Sequence, residues 1–266
     1  MKKIFSTLLI LSALITASYG QDWAIHQLEN SPRHQEDIIV ENGDRNLSCF
    51  LVYPEVSGKA TVVVLIHENR GLNDWARSMT DQVAGEGFIV IAPDFISGMA
   101  PGGGNTPDFA KSDDARTAIY ALDPDEITSG LDAVCKYGSE IPAGNGKIVV
   151  MGFCWGGSQT FRYATNSDKV KAFMVFYGTG PGEESEYTRI KAPVYGFYGG
   201  NDNRVNATIS DSEKFMKAGG KKYEPVIYEG AGHGFMRSGQ DPEGSVENKK
   251  ARDAAFELLI SLLKEI

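Results

Sequence analysis

Three stretches of this chain are apolar without interruption: TVVVLI (Thr61–Ile66), FIVIA (Phe88–Ala92) and KIVVMG after its lysine (Lys147–Gly152). A strand with one face in water alternates apolar and polar residues. These runs do not alternate, so both of their faces must be covered, which is the condition of a central strand in a parallel sheet with helices on each side. Between and beyond them lie segments of helical character: about Trp75 to Glu86, two pieces from Ala115 onward, one from the GFCWGG turn to about Ala164, and a closing amphipathic helix, VENKKARDAAFELLISLLKEI. AFMVFYG, PVYGFYGG and YEPVIYEG supply further strands, and DIIV and LSCFLVY flank the turn-rich ENGDRN as a hairpin over residues 36–53. Strands alternating with helices predict an α/β fold built on a mostly parallel, doubly wound sheet. No repeat, linker or charge block divides it, so residues 36–266 are expected to form one domain.

Local signals place several boundaries. Asp123 precedes Pro124, the pattern of an N-cap followed by proline at the first helical position. Asn206 is expected to cap a helix that ends at AGG, with Gly219 left-handed at its C-terminus. PDFISGMAPGGGNTPD is a long loop rich in glycine and proline, a place for substrate contacts. Residues 21–35, which contain His26 and His34, are expected to be irregular.

The chain opens MKKIFSTLLILSALITASYG: two lysines, an apolar run from Ile4 to about Ile15, then small residues before Gln21. This is the layout of a cleaved signal peptide, residues 1–20, and predicts export to a bacterial periplasm or the medium. A buried helix or a retained anchor is the alternative, but the run is short for a bilayer span, so no stable membrane anchor is expected. The formal charge is −9; with Lys2 and Lys3 removed, 24 basic residues face 35 acidic ones and the mature chain stands at −11. No basic tract appears, which argues against nucleic acid as a partner. No His/Cys cluster has ligand spacing, so neither a metal nor an organic cofactor is expected.

Chemistry concentrates at GFCWGGS (Gly152–Ser158), a G-x-C-x-G turn between a strand and a helix. Such a turn is sharp and strained. It lifts its central side chain above the strand ends and aims the first N–H groups of the helix at the same point. Cys154 is therefore the candidate nucleophile, and a glycine-rich turn around a buried thiol is the alternative. Cys49 and Cys135 read as small core residues. A thiol needs a base, and four histidines are available. His233, in the glycine-rich GAGHGF loop after a strand, is the candidate. His67, at the end of TVVVLIH, reads as a strand-end histidine bonded to backbone. Asp202, after the Val194–Tyr198 strand, is the orienting carboxylate; Asp211 reads as solvated. Cys154, Asp202 and His233 follow in the chain order of an α/β-hydrolase triad.

The sequence resembles the dienelactone hydrolase family, the cysteine branch of the α/β-hydrolases, in HENRGLN (67–73), APDF (92–95), ARTAIYALDP (115–124), GFCWGG (152–157), YGGND (198–202) and GAGHGF (230–235). The resemblance implies an α/β-hydrolase fold and a Cys154–His233–Asp202 triad that opens lactones or esters. It implies Glu68 against the resting thiol and an oxyanion hole from the backbone N–H groups of Trp155 and Asn69. It also implies Arg237 and Arg116, with Tyr120 nearby, as binders of a substrate carboxylate. Asn69-Arg70 departs from the apolar residues of the best-known members, and Arg70 adds a cation near the mouth. A carboxylate beside a thiol disfavours the thiolate, so Glu68 would hold Cys154 protonated until a substrate freed it. The partner is then a small lactone or ester, a carboxylate-bearing one among them, and the protein a monomer or simple homodimer. Two rivals remain: a catalytically silent ligand-binding protein on the same fold, and a thiol redox protein, which would lack the C-x-x-C motif.

Overall fold

The computed structural model describes residues 21–43 and 45–266, so the expected signal peptide lies outside the described residues. Eight strands form one mixed sheet: β1 (Gln35–Val40), β2 (Leu47–Val52), β3 (Ala60–Ile66), β4 (Ile89–Pro93), β5 (Gly144–Phe153), β6 (Ala172–Phe176), β7 (Val194–Gly199) and β8 (Tyr223–Tyr228). Their spatial order is β1-β2-β4-β3-β5-β6-β7-β8. The predicted hairpin is β1 and β2, with Gln35 opposite Val52 and Val40 opposite Leu47; β2 also runs antiparallel to β4. From β4 to β8 all neighbours are parallel.

The helices are α1 (Asp22–Glu29), α2 (Asp74–Gly85), α3 (Ser112–Tyr120), α4 (Pro124–Glu140), α5 (Trp155–Ala164), α6 (Glu184–Tyr187), α7 (Asn203–Asn206), α8 (Ile209–Ala218), α9 (Phe235–Ser238) and α10 (Val246–Lys264). They cover both faces of the sheet. Along β3, Val62, Val64 and Ile66 enter the core shared with Leu131 and Val134 of α4, Phe161 of α5 and Met216 of α8. Val63 and Leu65 point the other way, into the core formed with Trp75 and Met79 of α2 and Ala255 and Leu259 of α10. Every residue of β3 is buried, which is why its sequence shows no alternation.

Strand order explains where a site belongs. The chain leaves β3 to one side for β4 and then returns to the other side for β5. The loops after β3 and β5 therefore part from each other, and a crevice opens at the carboxyl ends of these two strands. Glu68 and Cys154 stand there, two residues beyond β3 and one beyond β5.

Asp123 caps α4 as expected, accepting from the Asp125 N–H at 2.7 Å. Three local expectations need correction. Asn206 ends the short α7 and does not cap α8, whose N-cap is Thr208; the cap signal belongs one turn earlier, to Asp202. Gly219 has φ −82°, and the left-handed position is Gly220, at φ +63°. His26 lies on α1, not in irregular chain. This helix is tied to α2 by buried Asp81, which accepts from Ser31 Oγ at 2.5 Å and Arg33 Nε at 2.9 Å. No helix among the described residues is long and apolar enough to cross a membrane. All three cysteines are free.

Candidate active site

Cys154 occupies the single residue between β5 and α5 at φ 56°, ψ −113°, a strained conformation for a residue with a side chain. The turn is possible because of its glycines. A Cβ on Gly152 would stand 2.3 Å from the Gly156 carbonyl oxygen, and one on Gly156 would stand 2.4 Å from the His67 carbonyl oxygen. The thiol is thereby lifted over the strand ends, and the Trp155 N–H, first of α5, favours its ionised form.

Two other loops converge on the sulfur. Asp202 follows β7, and its Oδ1 caps α7 by accepting from the Val205 N–H at 3.3 Å. Its Oδ2 lies 2.5 Å from His233 Nδ1, and His233 Nε2 lies 3.1 Å from Cys154 Sγ. The Asp202 and His233 loops are stitched together: the Asn201 N–H donates to the Ala231 carbonyl at 2.9 Å, and Asn201 Nδ2 to the Gly230 carbonyl at 2.9 Å. Asn248 of α10 fixes the histidine loop from the other side, accepting from the Gly232 N–H at 2.9 Å. Three groups 79 and 31 residues apart in sequence thus share one hydrogen-bonded line.

Glu68 is buried beside this line. Its Oε2 accepts from Arg237 Nε at 2.8 Å and its Oε1 from the Tyr177 hydroxyl at 3.3 Å. Among the described residues it makes no hydrogen bond to Cys154; it acts on the thiol through space. Burial, then the Glu68 charge, pushes the Cys154 thiol up to about 11, against the pull of the Trp155 N–H, Arg204 and Arg237. Burial and Glu68 both favour the neutral thiol. Burial and Glu68 likewise hold the Tyr177 phenol well above its ordinary value, so it is a donor.

His67 is bonded as the sequence predicts. The Phe95 N–H donates to its Nε2 at 3.3 Å, so Nδ1 carries the proton and donates to the Glu68 carbonyl at 2.7 Å. Its ring stacks on Trp155 at 5.5 Å, which ties the Glu68–Asn69 turn to the start of α5. The Asn69 side chain donates to the Tyr120 hydroxyl at 3.3 Å. Among the described residues its backbone N–H takes no acceptor.

The three arginines take different partners. Only Arg237 reaches Glu68. Arg70 Nη1 donates to Ser112 Oγ at 2.9 Å, and its Nη2 lies 3.9 Å from Asp113 Oδ1 at the α3 start. Arg116 lies over the exposed Tyr120 ring at 5.8 Å on α3. Two residues escaped the sequence reading. Arg204, two after Asp202, carries a positive charge toward the thiol. Tyr177 carries no motif: it ends an apolar strand run, and only the three-dimensional structure reveals where its hydroxyl goes.

Comparison with known proteins places the chain and its fold. The sequence profile described as the Dienelactone hydrolase family matches residues 47–266. A Synechocystis protein provisionally named carboxymethylenebutenolidase is 31% identical over 232 residues, covering 82% of this chain and 91% of that one. One of the same name from Escherichia coli K12 is 29% identical over 209 residues, covering 74% and 75%. Among solved structures, a protein from Klebsiella pneumoniae titled as a dienelactone hydrolase superposes with a TM-score of 0.76 at 20% identity, covering 88% of this chain and 99% of that one. A promiscuous phosphotriesterase of dienelactone hydrolase type, from metagenomic libraries, gives 0.73 at 20%, with coverage of 88% and 98%. With an eight-stranded sheet of α/β-hydrolase order and a family match that runs from β2 to the last residue, the chain belongs to the dienelactone hydrolase family of hydrolases.

Proposed function

We propose that this protein is a thiol hydrolase of lactones or esters, with Cys154 as nucleophile, His233 as base and Asp202 as the group that orients His233. The observation that carries the reading is the unbroken line from Asp202 Oδ2 through the imidazole to Cys154 Sγ, at 2.5 and 3.1 Å. Nucleophile, base and orienting acid within hydrogen-bond reach are what covalent acyl transfer requires.

In this reading Cys154 Sγ attacks the acyl carbonyl carbon while its proton passes to His233 Nε2. Negative charge gathers on the carbonyl oxygen, where the N–H groups of Trp155 and Asn69 receive it. The carbon–oxygen bond of the leaving group breaks, and the alkoxide or enolate takes the proton from His233. Water, deprotonated by the same imidazole, attacks the thioester and returns the thiol. Asp202 keeps the histidine in the tautomer with Nδ1 protonated. Glu68 and Arg237 add a switch. A substrate carboxylate that binds Arg237 competes with Glu68, and the released carboxylate then takes the thiol proton in place of His233 and gives it up to the leaving alkoxide or enolate. A thiol can be held dormant in this way because its proton is within reach of a carboxylate; a serine hydroxyl is far less acidic.

The deciding experiment treats the protein with an activated ester and follows the mass of Cys154. Rapid acylation in a one-to-one ratio, absent from Cys154→Ala, supports the reading. A protein that binds esters without acylation would be the silent binder. Export is proposed from residues 1–20: protein recovered from a bacterial periplasm should begin at or near Gln21, and cytoplasmic protein that retains Met1 would refute it.

A further inference from the structure

Tyr177 is a bulky residue at φ +37°, in the left-handed region that favours glycine. Such a conformation persists only where the surroundings enforce it. Here they do so on all sides. The Tyr177 N–H donates to the Phe197 carbonyl at 2.8 Å. The ring meets Phe235 at 5.4 Å, Phe153 at 6.2 Å and the His233 imidazole edge-on at 5.1 Å. The result is a buried hydroxyl aimed at one acceptor, Glu68 Oε1.

Both oxygens of Glu68 are thus held, Oε1 by Tyr177 and Oε2 by Arg237, while the thiol bonds to His233 instead. In the proposed reaction Glu68 has two places to be: on its two donors, as in this structure, or on the Cys154 proton. A ligand shifts such an equilibrium only by binding one state better than the other. A substrate carboxylate can compete for the guanidinium, which is partly exposed, but not for the fully buried phenol.

We propose that Tyr177 is a positioning residue that sets the threshold for arming: its hydroxyl parks Glu68 away from the Cys154 thiol, so that only a substrate able to draw off Arg237 releases the carboxylate. The inference rests on the thiol-hydrolase reading. The step it governs is a proton transfer in which the S–H bond breaks, an O–H bond forms on Glu68, and the negative charge moves from carboxylate to sulfur. With the phenol gone, Glu68 keeps a single donor and competes better for that proton without help from substrate.

The test is Tyr177→Phe, which keeps the ring and its packing. Two quantities are read: the rate of Cys154 alkylation by iodoacetamide across pH, and the ratio of kcat/KM for a carboxylate-bearing ester to that for its neutral analogue. Alkylation at pH 7 should rise, and the ratio should fall, each by about ten-fold or more, the least expected when a donor to a charged acceptor is removed. In a Glu68→Gln background the same substitution should change neither. Values within two-fold of wild type, or a gain that persists with Glu68→Gln, would overturn the proposal. If Tyr177→Phe does not fold, 3-fluorotyrosine placed at position 177, a stronger donor of the same shape, should move both readouts the opposite way; no movement overturns it equally. A failure of the thiol-hydrolase reading is recognised separately, because the activated ester would then leave Cys154 unacylated.

Discussion

Arg237 Nε donates to Glu68 Oε2 at 2.8 Å, joining the end of β3 to the α9 turn 169 residues later. The guanidinium side chain is 43% exposed and the carboxylate side chain 9%, so the pair sits at the wall of the crevice with its cation facing outward. It is both a structural clasp and a partly exposed charge of the candidate site.

The first prediction follows from that arrangement. Carboxylate-bearing lactones or esters should be hydrolysed at least about ten-fold better than neutral analogues, the scale of one charge-assisted hydrogen bond expressed at the transition state. Arg237→Ala should erase most of that preference while it spares slow hydrolysis of a neutral activated ester. Arg116→Ala should have a smaller effect, since its guanidinium rests over Tyr120 on exposed α3 and not on Glu68. Matched kcat/KM measurements on the charged and neutral pair decide it; equal values in the wild type would discard substrate arming and leave the triad standing.

A second prediction concerns pH. Burial first and Glu68 second raise the Cys154 thiol from an ordinary 9.0 to about 11. Both causes favour the neutral form, so the nucleophilic thiolate is scarce below pH 9 and accumulates as pH climbs toward 11. Iodoacetamide alkylation of the resting protein should therefore keep rising through pH 9 to 10 where an ordinary thiol levels off. Glu68→Gln removes the second cause and should move the midpoint down. Arg204→Ala removes a cation that favours the thiolate and should move it up. A plateau below pH 8 in the wild type would contradict the dormant thiol.

Asp202→Asn supplies the third. The amide oxygen can still accept from the Val205 N–H and cap α7, so the fold should survive. The amide nitrogen, placed against His233 Nδ1, forces the wrong tautomer. By analogy with the serine triad the loss in kcat is on the order of 10⁴-fold. Circular dichroism like that of the wild type together with near-normal kcat would mean that another carboxylate orients the histidine.

These predictions differ in how early they could be made. The sheet was legible because β3, β4 and β5 are buried on both faces and so carry unbroken apolar runs. Cys154, Asp202 and His233 were legible because each follows its own strand and because glycines mark the two tightest turns. The arginines were not. Arg70, Arg116 and Arg237 look alike in sequence, yet it is Arg237 that pairs with Glu68, while Arg70 bonds to Ser112 and Arg116 lies over Tyr120. Tyr177 was invisible for the opposite reason: an aromatic residue at the end of an apolar strand reads as core, and its ring is core, while its hydroxyl is not. The cap misassigned to Asn206 shows a third limit. Asn206 falls at the end of the short α7, which Asp202 caps, and α8 begins only after Thr208, so an extra short helix stands where the sequence suggests one cap.

The last prediction concerns α1, which lies before the family-matched residues 47–266. What holds it is Asp81 of α2, fully buried. Its carboxylate accepts from Ser31 Oγ at 2.5 Å, from Arg33 Nε at 2.9 Å and Nη2 at 2.5 Å, and from Gln35 Nε2 at 3.2 Å. Gln27 donates to it as well. All five donors belong to residues 27–35, so one side chain gathers the whole segment onto α2. An amide in its place keeps the shape but removes the charge that Arg33 requires, and it turns an N–H donor toward donors that then go unmet. Breaking a buried pair from one side costs about 3–5 kcal/mol, here directed at the segment and not at the sheet. Asp81→Asn should therefore free α1 before it unfolds the domain. Limited proteolysis should cut within residues 22–34 in the variant at protease levels that leave the wild type whole, and the trimmed protein should still be acylated at Cys154. Loss of the entire sheet together with α1, read as a single cooperative transition without the early cut, would show that the segment is integral to the core and not clasped onto it.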